Sequence, residues 1–158
     1  MKQVLFVCLG NICRSPAGEG ILKKILEERG ISDKFNVDSA GIGDWHVGQL
    51  PDVRMRRHGS ARGYNFDSHA RQFVVADFDR FDYIFIMDNA NYKALKEKAR
   101  SGADMDKVYM TGNFLKHHPH NNYVPDPYYG GDEDFELAID LLEDACESIA
   151  DYIDDNKQ

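Results

Sequence analysis

The apolar positions of this chain change period repeatedly, and the changes mark its elements. Gln3–Val7 is a short, nearly continuous apolar run, the pattern of a parallel strand buried on both faces. From Pro16 to Arg29 the period becomes helical: Ile21, Leu22, Ile25 and Leu26 share one face, and Gly30 ends it. "FNVDSAG" (Phe35–Gly41) reads as a second strand, Asp52–Arg62 as a helix and "YIFIM" (Tyr83–Met87) as a third strand. "NYKALKEKARSG" predicts another helix, and Val108–Met110 a weak fourth strand. A long final helix opens on Asp132, Glu133 and Asp134, charges its dipole favours there. It carries Phe135, Ile139, Leu142, Cys146, Ile149 and Ile153 in one stripe, which makes Cys146 a core residue. Strands and helices alternate without a linker or repeat. This predicts an α/β fold, a four-stranded parallel sheet covered by helices, in a single domain over residues 1–158.

Composition narrows the function classes. A hydrophobic fraction of 42% and a charged fraction of 29% are ordinary for a soluble globular chain and suggest no membrane insertion. The net charge of -8 argues against nucleic acid as a partner. The one dense basic cluster, "RMRRHGSAR" (Arg54–Arg62), reads as a solvated helix face. Three cysteines, an odd number, fit a reducing, cytoplasmic setting better than a disulfide scaffold. "VLFVCL" is too short and Val7 too bulky for a signal peptide with a cleavage site, so none is expected.

The chemistry concentrates where the first strand turns into the first helix. At the carboxyl end of a parallel strand, the N–H groups of such a turn converge on a ligand, and the helix dipole favours an anion. Ser15 as cap and Pro16 as first helical residue define the start of the helix. Arg14 adds a planar fork suited to bidentate phosphate binding. Residues Leu9, Gly10, Asn11, Ile12, Cys13 and Ser15 then form an oxyanion cradle, with Gly10 easing its curvature. Cys8 lies in that positive field, which favours its thiolate form. A thiolate beside a phosphate cradle implies in-line attack on phosphorus and a phosphocysteine intermediate. A lone cysteine at a strand end would be packing; Cys-x5-Arg-Ser on a strand–loop–helix is far more specific.

Val7–Pro16 matches V-C-x-G-N-I-C-R-S-P, and "DSAG", "DWHVG", "FDYIFIMD" and "DPYYG" follow in order along nearly the whole chain. On these motifs the chain resembles the low-molecular-weight protein tyrosine phosphatases. The resemblance implies a three-layer α/β/α, flavodoxin-like fold, with hydrolysis of phosphotyrosine in proteins and of small aryl phosphates (an acid phosphatase activity). It also implies inhibition by phosphate-like oxyanions, and no cofactor or metal. It makes Asp126 the general acid and base, held between Pro125 and Pro127. Trp45, Tyr128 and Tyr129 become aromatic walls around the substrate ring. Asn11 and Ser39 brace the loop, and Ser15 donates to the Cys8 sulfur. Cys13 would capture an oxidised Cys8 as a reversible disulfide, making the activity redox-regulated.

Two places depart from the family pattern. "SHAR" puts Ser68 where a bracing histidine is usual, so either Ser68 or His69 fills that role, with His69 the candidate for loop support. His46 replaces a small amide and reads as a loop residue. "HHPH" (His117–His120) lacks a matching distant ligand, so a metal is not expected. Related arsenate reductases need further cysteines after the third strand, and residues 88–112 contain none. Phosphoarginine hydrolysis goes with threonine before the second loop cysteine, where Ile12 stands here. A non-catalytic phosphotyrosine-binding module would not need Asp126.

Overall fold

The computed structural model describes residues 1–155; the last three residues of the expected 1–158 domain lie outside them. The strands are β1 (Lys2–Cys8), β2 (Phe35–Gly41), β3 (Tyr83–Ile86) and β4 (Val108–Met110). They form one parallel sheet in the order β2-β1-β3-β4. The helices are α1 (Arg14–Glu28), α2 (Val53–Ala61), α3 (Asp77–Arg80), α4 (Asn89–Lys98), α5 (Gly102–Met105) and α6 (Asp132–Asp155). This is the parallel sheet covered by helices that the alternation predicts, in the three-layer α/β/α arrangement that the resemblance implies.

β1 is apolar throughout because both its faces are covered. Val4, Phe6 and Cys8 point into a core with Ile21 and Leu22 of α1 and Phe135 and Ile139 of α6. Leu5 and Val7 point the other way, into Phe73, Phe78, Phe81 and Leu95. The α6 stripe is wholly buried, Cys146 included. The chain leaves β1 for a partner on one side and returns for β3 on the other, so the carboxyl ends of β1 and β3 flank a crevice. Cys8 ends β1 there, and Asp88 follows β3.

Three local expectations change. The helix predicted over residues 91–102 begins at Asn89 and breaks at Ala99, whose backbone is extended; Arg100 turns back instead to bind Asp104 and Asp79. The helix predicted from Pro16 begins at Arg14 with Cys13 at the cap position, and the Ser15 hydroxyl caps nothing. The basic stretch Arg54–Arg62 is no solvated face: His58 lies between Asp132 and Glu136, and Arg62 joins Glu136, Asp140 and Glu143 of α6. The helical period put acid on the neighbouring helix opposite base on this one, which a single stretch of sequence does not display.

Candidate active site

The loop from Cys8 to Arg14 turns sharply at Asn11, whose φ of 58° is left-handed. Asparagine tolerates that region better than most residues. Its side chain then holds the loop from inside: Nδ2 donates to Ser15 Oγ at 2.7 Å and to Ser39 Oγ at 3.0 Å, while Oδ1 accepts the Arg71 N–H at 3.0 Å. Ser39 in turn donates to the buried Glu19 carboxylate at 2.6 Å, and Lys23 pairs with the other Glu19 oxygen. Gly41 is required alongside, because a Cβ there would stand 2.9 Å from the Gly10 carbonyl carbon.

The loop's carbonyls are committed outward. Those of Cys8, Leu9 and Ile12 accept from the N–H groups of Ile42, Gly43 and Asp52. The N–H groups of Leu9 through Cys13 donate to no protein atom among the described residues. They remain available to an oxyanion. The Cys8 sulfur accepts the Ser15 N–H at 3.4 Å and lies 3.1 Å from the Ser15 hydroxyl. Asn11 already donates to that hydroxyl oxygen, and the Ser15 proton has two acceptors in reach, the sulfur and the Ala40 carbonyl at 3.4 Å.

Arg14 is 1% exposed. Its Nη1 donates to Asp88 Oδ2 at 2.7 Å and to the Val124 carbonyl at 2.9 Å, while Nη2 lies 3.6 Å from Asp126 Oδ2. Burial opposes its charge, but Cys8, Asp88 and Asp126 together outweigh burial and hold its pKa above the usual guanidinium value. Asp126 Oδ1 accepts the Tyr128 N–H at 3.1 Å. Cys13 is buried; burial first, then the charges of Cys8 and Asp52, push its thiol far above the ordinary range.

These groups open on a cleft of about 400 Å³. Cys8, Gly10, Ile12, Cys13 and Arg14 line it, and Leu9, Trp45, Asp126, Tyr128 and Tyr129 stand at its more exposed rim. The Trp45 indole lies across Gly43, where a side chain would collide with it. His46 also lines the cleft, with Nδ1 donating to Gln49 Oε1, so it is more than the loop residue expected.

One expected support is absent. His69 is exposed and, like Ser68, makes no hydrogen bond to the loop among the described residues. The chain after Ala70 pairs with the end of β2 through Gly41 N–H to the Arg71 carbonyl at 2.8 Å and Phe73 N–H to the Gly41 carbonyl at 2.7 Å. That register brings the Arg71 backbone to Asn11 in place of a histidine. Asp88, Glu19 and Arg71 escaped the sequence reading. Only Asp88 carries a signal there, as a carboxylate directly after a buried strand at the crevice.

The profile of the low molecular weight phosphotyrosine protein phosphatases matches residues 3–158. The chain belongs to this family. A low molecular weight phosphotyrosine protein phosphatase of Sus scrofa is 37% identical over 158 residues, 96% of each chain. A protein tyrosine phosphatase of Entamoeba histolytica, solved with Hepes in its active site, superposes with a TM-score of 0.95 at 44% identity over all of both chains. The family likeness extends to a Drosophila arginine phosphatase, TM-score 0.89 and 33% identity, covering 99% of this chain and 100% of that one.

Proposed function

We propose that the protein is a single-domain phosphatase that hydrolyses phosphotyrosine in proteins, and small aryl phosphates, through a phosphocysteine. The phosphoryl oxygens bind the N–H groups of residues 9–13 and the Arg14 guanidinium. Cys8 Sγ attacks phosphorus in line, forming the S–P bond as the P–O bond to the phenol breaks. Asp126 gives its proton to the departing phenolate oxygen. It then takes one from the water that attacks phosphocysteine, releasing phosphate and the Cys8 thiolate. Phosphate-like oxyanions compete for the same N–H groups. Hepes in the Entamoeba relative, with its tetrahedral sulfonate, is chemistry of that kind.

The observation that carries this reading is the meeting of three groups in one cleft: the Cys8 sulfur, which accepts the Ser15 N–H and lies beside the Ser15 hydroxyl, the buried Arg14, and Asp126 3.6 Å from Arg14. The rim of Trp45, Tyr128 and Tyr129 suits a flat aryl group. Arsenate reduction lacks its relay cysteine, since the Cys146 thiol is fully buried on α6 and directed to the Gly18 carbonyl. The three cysteines are free thiols, as a reducing cytoplasmic setting would keep them. No described helix is long and apolar enough to cross a membrane.

Peroxide would convert the Cys8 thiolate to a sulfenic acid. The buried Cys13 thiol, lining the same cleft, would condense with it to a disulfide and release water. Peptide mapping after mild peroxide is expected to find Cys8 linked to Cys13; its absence sinks the redox reading alone.

Metal-free turnover of a phosphotyrosine peptide beside phosphoserine and phosphoarginine substrates tests the function. Selectivity for phosphotyrosine, abolished in Cys8→Ser and cut roughly 10²–10⁴-fold in Asp126→Ala, is expected. A preference for phosphoarginine would keep the chemistry and assign the specificity of the Drosophila relative. Phosphate binding without any turnover would overturn the enzyme reading.

A further inference from the structure

Arg54 lines no part of the cleft, yet it joins the two halves of the chemistry. It stands in the first turn of α2, next to Asp52, which caps that helix by accepting the Arg54 N–H at 2.8 Å. The guanidinium binds the Asp52 carboxylate through Nε and Nη2, each at 3.0 Å. Nη2 also donates to the Tyr128 carbonyl at 2.9 Å. Its Cζ lies over two rings, 4.7 Å from the centroid of Phe135 and 5.5 Å from that of Tyr128.

Both ends of this unit lead to the site. Asp52 donates its N–H to the Ile12 carbonyl at 2.8 Å, which ties it to the loop that carries Cys8. Tyr128 donates its N–H to Asp126 Oδ1 at 3.1 Å while its carbonyl accepts from Arg54. One residue therefore orients the Asp126 carboxyl through its N–H and is itself fixed through its C=O. Among the described residues, Arg54 is the one side chain from outside residues 126–134 that hydrogen-bonds the backbone of residues 126–131. The remaining bonds of that loop are its own, such as Gly130 N–H to the Pro127 carbonyl.

We propose that Arg54 is a positioning residue for the proton-transfer step, holding Tyr128, and through it the Asp126 carboxyl, at a set distance from the Cys8 loop. The proposal rests on Asp126 being the acid. Its charge is neutralised by Asp52, so Arg54 acts by geometry and not by attracting substrate. The planar fork is essential: a lysine ammonium could keep the charge but could not hold Asp52 through two nitrogens and donate to Tyr128 together.

The test uses kcat/KM, which reports formation of phosphocysteine, across aryl phosphates whose leaving phenols range from nitrophenol to tyrosine-like. A good leaving group departs with little help from an acid, and a poor one needs it. Arg54→Ala and Arg54→Lys are both expected to lose roughly 10-fold or more on the tyrosine-like substrates, part of the roughly 10²–10⁴-fold an acid supplies. On the nitrophenyl substrate both stay near the parent, and the inhibition constant of inorganic phosphate stays unchanged, which shows an intact Cys8 loop. In an Asp126→Ala background, Arg54→Ala adds no further loss. An equal loss on every substrate, a weakened phosphate constant, or losses that multiply with Asp126→Ala would overturn the positioning role. A parent-like dependence on leaving group in Arg54→Ala beside a steep one in Asp126→Ala overturns it alone. A parent-like dependence in Asp126→Ala itself overturns the acid assignment and the Arg54 role with it.

Discussion

Arg14 is buried to 1% exposure, where an unpaired guanidinium would be costly. Its fork resolves this by dividing the work: Nη1 is committed to Asp88 and Val124, and Nη2 faces the cleft. Arg14→Lys keeps a positive charge but cannot serve both sides. It is expected to lower kcat/KM by roughly 10²–10³-fold, the cost of losing an oriented donor at developing charge. A titration showing phosphate still bound at parental affinity would count against this. Gly41→Ala acts at the same scale from the opposite direction, because its Cβ would press on Gly10 and Asn11. Steady-state assays are expected to show activity falling more than the melting temperature does, since the displaced atoms belong to the loop and not to the core.

At the scale of elements, Phe66 is gripped between α1 and α2. It faces Gly20 on one helix and Gly59 on the other, and a Cβ at either position would overlap its ring. Helix propensity alone predicts that Gly59→Ala gains up to about 1 kcal/mol. Overpacking of a buried ring costs about 1–3 kcal/mol and should win, so urea denaturation is expected to show a destabilised variant. The seam between α2 and α6 is different in kind, built from Arg62 with Glu136, Asp140 and Glu143 and from His58 with Asp132 and Glu136. Its groups are partly exposed, so Arg62→Ala is expected to cost only about 1 kcal/mol, less in high salt. Thermal melts at two ionic strengths check both size and sign.

For the whole molecule, acid stability follows from carboxylates that folding depresses. For Asp144, burial works to raise the pKa, but His118 and the N–H groups of Lys116 and His117 outweigh it, so the group ends below its ordinary value. Burial likewise opposes Asp52, and Arg54 outweighs it. A depressed carboxylate contributes stability that is complete above its unfolded value, about 3.9, and disappears as pH falls through the folded one. The urea midpoint is therefore expected to hold near neutrality and to fall below about pH 4, with a shallower acid limb in Asp144→Asn. A midpoint that rises on acidification would contradict these assignments.

The chain alone determined what depends on near neighbours: the alternation of periods that specifies the α/β layers, the buried stripe of α6, and the strand–loop–helix that brings Cys8 and Arg14 to one turn. Such signals act within a few residues, where backbone geometry converts spacing directly into position. The place of Asp126 at the cleft was legible too, although only through its resemblance to a family motif, since nothing local to a Pro-Asp-Pro turn announces a residue of the site. Tertiary structure decided the partners: Asp88 and Val124 for Arg14, Arg71 for Asn11 in place of His69, Arg54 for Tyr128, and the acidic face of α6 for the basic face of α2. These contacts join residues as far as 110 positions apart. Their distances are set by sheet register and helix packing, and those arise only when the separate elements share one core.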